Sequence, residues 1–139
     1  MTKSLDISII SPIYNEVENI DHFIKSVEET MSAQNWSWEL ILIDDGSDDG
    51  SLEKLKSISK EKINIRVLAL SKNFGQTPAI QAGFDNAYGK YYVTLDSDLQ
   101  NDPKDIPLII NKLIQEDLDL VVDGGSKEKI ISLCEICLQ

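Results

Sequence analysis

The chain has 139 residues, 42% of them hydrophobic and 27% charged, with a formal net charge of −11; this is the balance of one globular domain able to bury a core. The acidic excess argues against nucleic-acid binding, which needs a basic patch, and against simple electrostatic docking on anionic membranes. No apolar run is long enough to span a bilayer, and the opening MTKSLDISII is broken by Asp6 and lacks a small-residue cleavage site, so a cytoplasmic location is the default expectation.

Residues 5–11 (LDISIIS) form a mostly apolar, β-branched run and predict a buried strand. Ile20, Phe23, Ile24, Val27 and Met31 then recur at helical spacing and mark one face of a helix. Asn15 is the expected cap, with Glu16 and Glu18 near the positive end of the helix dipole. Residues 39–43 (ELILI) predict a second strand, Leu52, Leu55 and Ile58 a short helix after Gly50, and residues 65–70 (IRVLAL) a third strand. Residues 77–87 predict a helix with Ile80, Gly83, Phe84 and Ala87 inward, and residues 91–95 a fourth strand. Asp102 and Pro103 open another helix, as cap and first-turn proline, with Ile106, Ile109, Ile110 and Leu113 as its buried stripe. Residues 118–122 (LDLVV) predict a fifth strand. The alternation implies an α/β, Rossmann-like fold: a mainly parallel sheet with helices on both faces.

After Asp123-Gly124-Gly125 the pattern changes. Residues 126–139 (SKEKIISLCEICLQ) read as one terminal helix, apolar enough to pack on the domain or on a second copy, which would give a homo-oligomer. Cys134 and Cys137 form a lone CxxC, which is half a zinc site, and the single histidine, His22, is far away in sequence. Two reduced thiols on one helical face is the reading that fits.

In open α/β sheets, ligands bind beyond the carboxyl ends of the strands, near the point where strand order reverses. The polar segments SPIYNE (11–16), DDGSDDGS (44–51), SKNFGQ (71–76) and DSDLQNDP (96–103) each follow a predicted strand. With strand order 3-2-1-4 they converge on one rim. Turn and capping chemistry accounts for Asp48 and Asp49, and less well for Asp44 and Asp45 at the strand end. A calcium loop starting at Asp45 fails, because Lys56 stands where its glutamate is needed. Asp96 and Asp98 have the i, i+2 spacing that puts both on one side of an extended segment. Such a pair raises each other's pKa unless a cation intervenes. Oxygen donors of this kind suit Mg²⁺ or Mn²⁺ shared with substrate phosphates, with Gln100 as a third oxygen if the segment stays extended. A metal there also reconciles an acidic protein with an anionic ligand.

SPIYNEVENI, ILIDDGSDDGS and LSKNFGQTPAIQAGFDNAYGKYYVTLDSDLQNDP together resemble the family 2 glycosyltransferases of GT-A fold. The likeness covers roughly residues 5–123 and is greatest to the polyprenyl-phosphate branch, similar to dolichol-phosphate mannose synthases and bactoprenol glucosyltransferases. The resemblance implies that Pro12, Tyr14 and Glu16 line a nucleotide pocket, with Tyr14 near the base. It implies that Asp45 accepts a hydrogen bond from the base while Asp44 braces the loop, and that Asn73 and Gly75 border the nucleotide or sugar. Asp96 and Asp98 match the family's DxD, which holds Mg²⁺ or Mn²⁺ against the diphosphate, with Gln100 as a further ligand. The implied reaction is transfer of a hexose from a UDP- or GDP-linked sugar to a polyprenyl phosphate, a step of cell wall or envelope glycan synthesis. Full-length relatives are membrane-associated on the cytoplasmic face.

The sequence departs from the family at its end. There the strand near Val122 normally leads to a basic loop, an acceptor half and membrane-associated helices, and DGGSKEKIISLCEICLQ, with Lys127 and Lys129, stands in this place. The expectation is a nucleotide-diphospho-sugar-binding domain over 1–125, a divergent segment over 126–139, and impaired turnover. Two further classes fit the residues less well. A phosphoacceptor signalling domain needs its acids after strands one and three, and here they follow strands two and four. A dinucleotide oxidoreductase needs a glycine turn after strand one, where SPIYNE has none. A non-catalytic nucleotide-binding or interaction fragment is the remaining alternative.

Overall fold

A computed structural model describes residues 4–98, 102–118, 120–122 and 131–134. The strands are β1 (Leu5–Ile13), β2 (Trp38–Asp44), β3 (Ile65–Ala69), β4 (Gly89–Thr94), β5 (Leu120–Val122) and β6 (Ile131–Cys134). The helices are α1 (Ile20–Ser32), α2 (Ser51–Glu61), α3 (Gln76–Asp85) and α4 (Ile106–Gln115), the last preceded by a 3₁₀ turn at Pro103–Asp105. The sheet runs β3-β2-β1-β4-β6-β5, so the expected order of the first four strands holds. Those four pair in parallel.

Strand alternation sorts the core onto two faces. Ile7, Ile9 and Ile13 of β1 and Leu40 and Leu42 of β2 join Phe23, Ile24, Val27 and Met31 of α1, Leu55 of α2, and Ile106, Ile109, Ile110 and Leu113 of α4. Ile10, Ile41, Ile43 and Tyr92 face the other way and meet Ala79 of α3, with Ala82 and Phe84 packed against them. The helix approaches so closely that a Cβ on Gly83 would lie 2.4 Å from Ile10 Cγ2. The stripes expected for α1 and α4 are buried throughout. Asp102 Oδ1 accepts from the Lys104 N–H at 3.0 Å, the cap expected before Pro103.

Three expectations change. Asn15 is not the cap of α1: the helix begins at Ile20 behind Asn19, and Asn15 takes a left-handed turn at φ 51°. Asn does so at low cost because its short amide bonds locally. The fifth strand is shorter, Leu120–Val122, because Asp117 turns left-handed at φ 50° and the Leu118 N–H closes on Leu113 O at 3.0 Å, which uses those residues to end α4. The terminal helix is contradicted at residues 131–134, which form β6, antiparallel to both β4 and β5. ISLC alternates with period two, and short apolar runs fit strand and helix equally. The outer edge of β4 offers unpaired N–H and C=O groups, and that ladder decides the conformation. The proposed homo-oligomer through a terminal helix loses its basis at these residues, and the helical face suggested for Cys134 does not exist. Cys137 lies outside the described residues.

At the far end of the sheet lies a buried polar knot that sequence patterning did not reveal. Glu39 Oε1 accepts from Ser8 Oγ at 2.6 Å and from the Tyr88 N–H at 2.8 Å, while Glu39 Oε2 accepts from Arg66 Nη1 at 2.8 Å. The Gly89 N–H donates to Ser8 Oγ at 2.8 Å. The knot ties β1, β2, β3 and β4 together at their entry ends, away from the rim that carries the site.

Candidate functional site

Because β1 to β4 are parallel, the segments that follow them emerge on one rim. They enclose a cavity of about 340 Å³ lined by Pro12, Tyr14, Glu16, Asp45, Asn73, Gly75, Gln76, Asp96, Ser97 and Asp98. Every residue expected to contact nucleotide is therefore in one place, together with Asp98. Gln100 lies outside the described residues. Among the described residues, none that lines the cavity is Lys or Arg, whereas Glu16, Asp45, Asp96 and Asp98 bring carboxylates.

The segments after β1 and β2 are laced together. The Asn15 N–H donates to Ser47 Oγ at 2.9 Å, the Glu16 N–H to Ser51 Oγ at 3.2 Å, and the Val17 N–H to Asp49 Oδ2 at 3.1 Å. In return the Asp48 N–H donates to Asn15 Oδ1 at 2.9 Å. Asp44 braces its own loop as expected, with Oδ2 accepting from the Ser47 N–H at 3.1 Å. Asp49 is likewise structural: Ser51 Oγ and N–H donate to its Oδ1 at 2.6 and 3.0 Å. Burial pulls the Asp49 pKa upward, but these bonds and that from Val17 outweigh it and hold the carboxyl below 3.8. Ser47 and Ser51 went unnoticed in the sequence because Ser is common in any turn. Their role appears only when the segment after β1 is brought against them.

Asp45 is 3% exposed and has a second partner beyond any base. Its Oδ1 accepts from the Phe74 N–H at 2.8 Å and its Oδ2 from the Gly75 N–H at 3.0 Å. It thus pins the segment after β3 against that after β2. A carboxylate has about four lone-pair sites, so room remains for one further donor. The close approach needs Gly46: at φ 75°, a Cβ there would lie 2.4 Å from Asn73 N.

Beyond β4, Leu95 and Ser97 are buried while Asp96 and Asp98 are partly exposed; the chain bends at Ser97 and Asp98, and both carboxylate residues line the cavity. Burial and then the charge of Asp98 push the Asp96 pKa above 3.8, opposed by a hydrogen bond from Gln76. Gln76 Nε2 donates to Asp96 Oδ1 at 2.8 Å. Gln76 and Ser97 are lining residues that sequence reasoning missed; the Gln76–Asp96 contact joins two segments and leaves no local pattern. Among the described residues, no group of three or more His, Cys, Asp or Glu side chains gathers as a self-sufficient metal cage. Two adjacent carboxylates, one of them strained by the other's charge, fit a hard divalent cation that takes its remaining oxygens from a ligand and water.

Residues 8–130 match the family described as Glycosyl transferase family 2. Among curated relatives, the chain is 42% identical over 140 residues to the dodecaprenyl-phosphate galacturonate synthase of Rhizobium johnstonii, covering 95% of this chain and 41% of that protein. It is 39% identical over 116 residues to the undecaprenyl-phosphate 4-deoxy-4-formamido-L-arabinose transferase of Salmonella choleraesuis, covering 83% of this chain and 35% of that one. The chain thus spans well under half the length of these relatives. Its fold is that of a mannosyltransferase from Pyrobaculum calidifontis in complex with GDP-Man and Mn²⁺, with a TM-score of 0.80 at 15% identity over 99% of this chain and 46% of that one. The architecture is the GT-A-like α/β fold. No helix among the described residues is long and apolar enough to cross a membrane.

Proposed function

Because the chain belongs to glycosyl transferase family 2, we propose that its rim cavity binds a nucleotide diphosphate sugar together with Mg²⁺ or Mn²⁺. On this reading it is the donor-binding part of an enzyme that transfers a hexose to a polyprenyl phosphate. The observation that carries the reading is the pairing of Asp96 with Asp98 in a cavity whose lining, among the described residues, has no cationic side chain. An anionic diphosphate is repelled by such a site unless a cation is shared between them. When bound, that cation supplies charge neutralisation for the departing diphosphate.

The chain's own residues supply the rest. Asp96 and Asp98 hold the cation, and Gln100 follows them in sequence as a further oxygen donor. Tyr14, 49% exposed at the cavity, offers a face for the base. Asp45 accepts from a base N–H while keeping the 71–76 segment in place. Pro12, Glu16, Asn73 and Gly75 border the nucleotide and sugar. The acceptor's phosphate is already ionised near neutral pH, so no side chain is needed to deprotonate it. The polyprenyl-phosphate names of the curated relatives support this acceptor class. The Mn²⁺ and GDP-Man bound to the structural neighbour support the metal and donor class.

The test is calorimetric titration with UDP, GDP and their hexose conjugates, with and without Mn²⁺, on the parent and on Asp98→Ala. Metal-dependent binding that Asp98→Ala removes is expected. Absence of metal-dependent binding, or binding unchanged in Asp98→Ala, would sink the reading.

A further inference from the structure

We propose that Gln76 is the positioning residue of the metal site: its amide holds one oxygen of Asp96 and leaves the other to the cation. The inference rests on the reading that Asp96 and Asp98 bind a divalent ion. Gln76 Nε2 donates to Asp96 Oδ1 at 2.8 Å, a contact between residues 20 apart in sequence. An ionised carboxylate only accepts, so the amide must present its nitrogen to it, which fixes the orientation of the side chain chemically.

The point from which Gln76 reaches is itself fixed. It is the first residue of α3, and the two N–H groups before it, Phe74 and Gly75, are both held by Asp45. Gly75 enters the helix at φ 102°. The backbone at Lys72 and Asn73 lies so close to Gly46 that no Cβ fits between. A long polar side chain on an exposed helix start ordinarily stays disordered in water, because ordering it costs rotamer entropy. Here it crosses the cavity wall to a carboxylate of the DxD pair. Partners behind metal-binding side chains orient them, and removing such a partner typically weakens metal affinity about 10–100-fold. The same residues link the two ends of the cavity: Asp45, assigned to the base, sets the segment whose next side chain sets Asp96.

The test is titration of Mn²⁺ alone, with the free ion followed by electron paramagnetic resonance. The proteins compared are the parent, Gln76→Met and Gln76→Ala. Gln76→Met keeps the length of the side chain and removes the donor. Both variants are expected to bind Mn²⁺ about 10–100-fold more weakly, while their melting temperature in chelator stays at the parent's value. Parent binding with both variants equal to it overturns the positioning role and leaves the donor-binding reading intact. Variants whose melting temperature in chelator falls well below the parent's also overturn it, since that marks general distortion. A parent that binds no Mn²⁺ alone overturns the positioning role, and the nucleotide titration then decides the donor-binding reading.

Discussion

Two glycines of the same loop separate backbone conformation from close approach. Gly46 sits at φ 75° and Gly50 at φ 93°, so an alanine at either pays for the left-handed region, roughly 1–2 kcal/mol. The surroundings differ. Around Gly50 nothing lies within 4 Å of a new Cβ, whereas at Gly46 it would meet Asn73 N at 2.4 Å and Lys72 C at 2.5 Å. Relief requires the 72–73 backbone to retreat by roughly 1 Å, toward ordinary contact distance. One of the two Asp45 bonds to Phe74 and Gly75, now 2.8 and 3.0 Å, would then stretch past hydrogen-bonding range. Losing one such bond to a charged acceptor costs about 1.5–3 kcal/mol. Gly46→Ala is therefore expected to cost about 2.5–5 kcal/mol in total, and Gly50→Ala the conformational part alone. With a urea slope of about 1–3 kcal/mol/M, the two midpoints should differ by roughly 1 M in denaturation followed by circular dichroism. Nucleotide affinity should fall in Gly46→Ala and hold in Gly50→Ala. Coincident midpoints would refute the claim that Asp45 and Gly46 clamp the 71–76 segment.

Two aspartates carry opposite pH signatures. Asp49 is held below 3.8, so it contributes stability at neutral pH that is lost as pH falls through its folded value. Asp49→Asn should lower the urea midpoint at neutral pH, with the deficit closing only in acid. Asp96 is raised above 3.8, so its ionisation weakens the metal-free fold at neutral pH, and the penalty lifts as pH falls through its folded value. Asp96→Asn should raise the midpoint in the presence of chelator at neutral pH, with the gain vanishing in acid; a constant offset in either variant would contradict the assigned partners. Glu39→Ala should cost about 3 kcal/mol by leaving Ser8 and the Tyr88 N–H without their acceptor and Arg66 without its carboxylate, with only the Asn86 carbonyl as hydrogen-bond partner among the described residues. Calorimetry on the folded variant should show nucleotide affinity unchanged, because the knot lies at the opposite end of the sheet.

What the sequence disclosed follows the range of each signal. Helical stripes and strand runs are periodic, so Val27, Met31, Ile106 and Ile110 could be placed inward from spacing alone. The rim followed from a topological rule, and Asp96 and Asp98, picked out by their i, i+2 spacing, both line the cavity beyond the end of β4 while Leu95 and Ser97 are buried. Contacts between loops have no period. Nothing near Gln76 in sequence announces Asp96, nothing near Ser47 announces Asn15, and nothing in ELILI announces that Glu39 is buried with Arg66. The ISLC stretch failed for another reason: its local pattern is degenerate, and pairing with β4 decided between strand and helix.

The carboxylates of the rim divide by what saturates them, and the division separates scaffold from ligand site. Asp44, Asp45 and Asp49 each accept at least one backbone N–H from a loop, which steadies the buried Asp44 and Asp45 and ties the exposed Asp49 to the segment after β1. The saturation is partial: Asp45 keeps room for one further donor, and Asp44 Oδ1 is buried with no hydrogen-bond partner among the described residues. Asp96 is different. Its bond comes from a neutral side-chain amide, and the pull of that bond does not offset burial and the nearby charge of Asp98. A carboxylate left above its ordinary pKa beside a second carboxylate is stabilised by a divalent ion more than by a proton at neutral pH. The loops that donate N–H groups to Asp44, Asp45 and Asp49 hold the rim together, and Asp96, raised by burial and by the charge of Asp98, is the carboxylate that a shared cation would relieve.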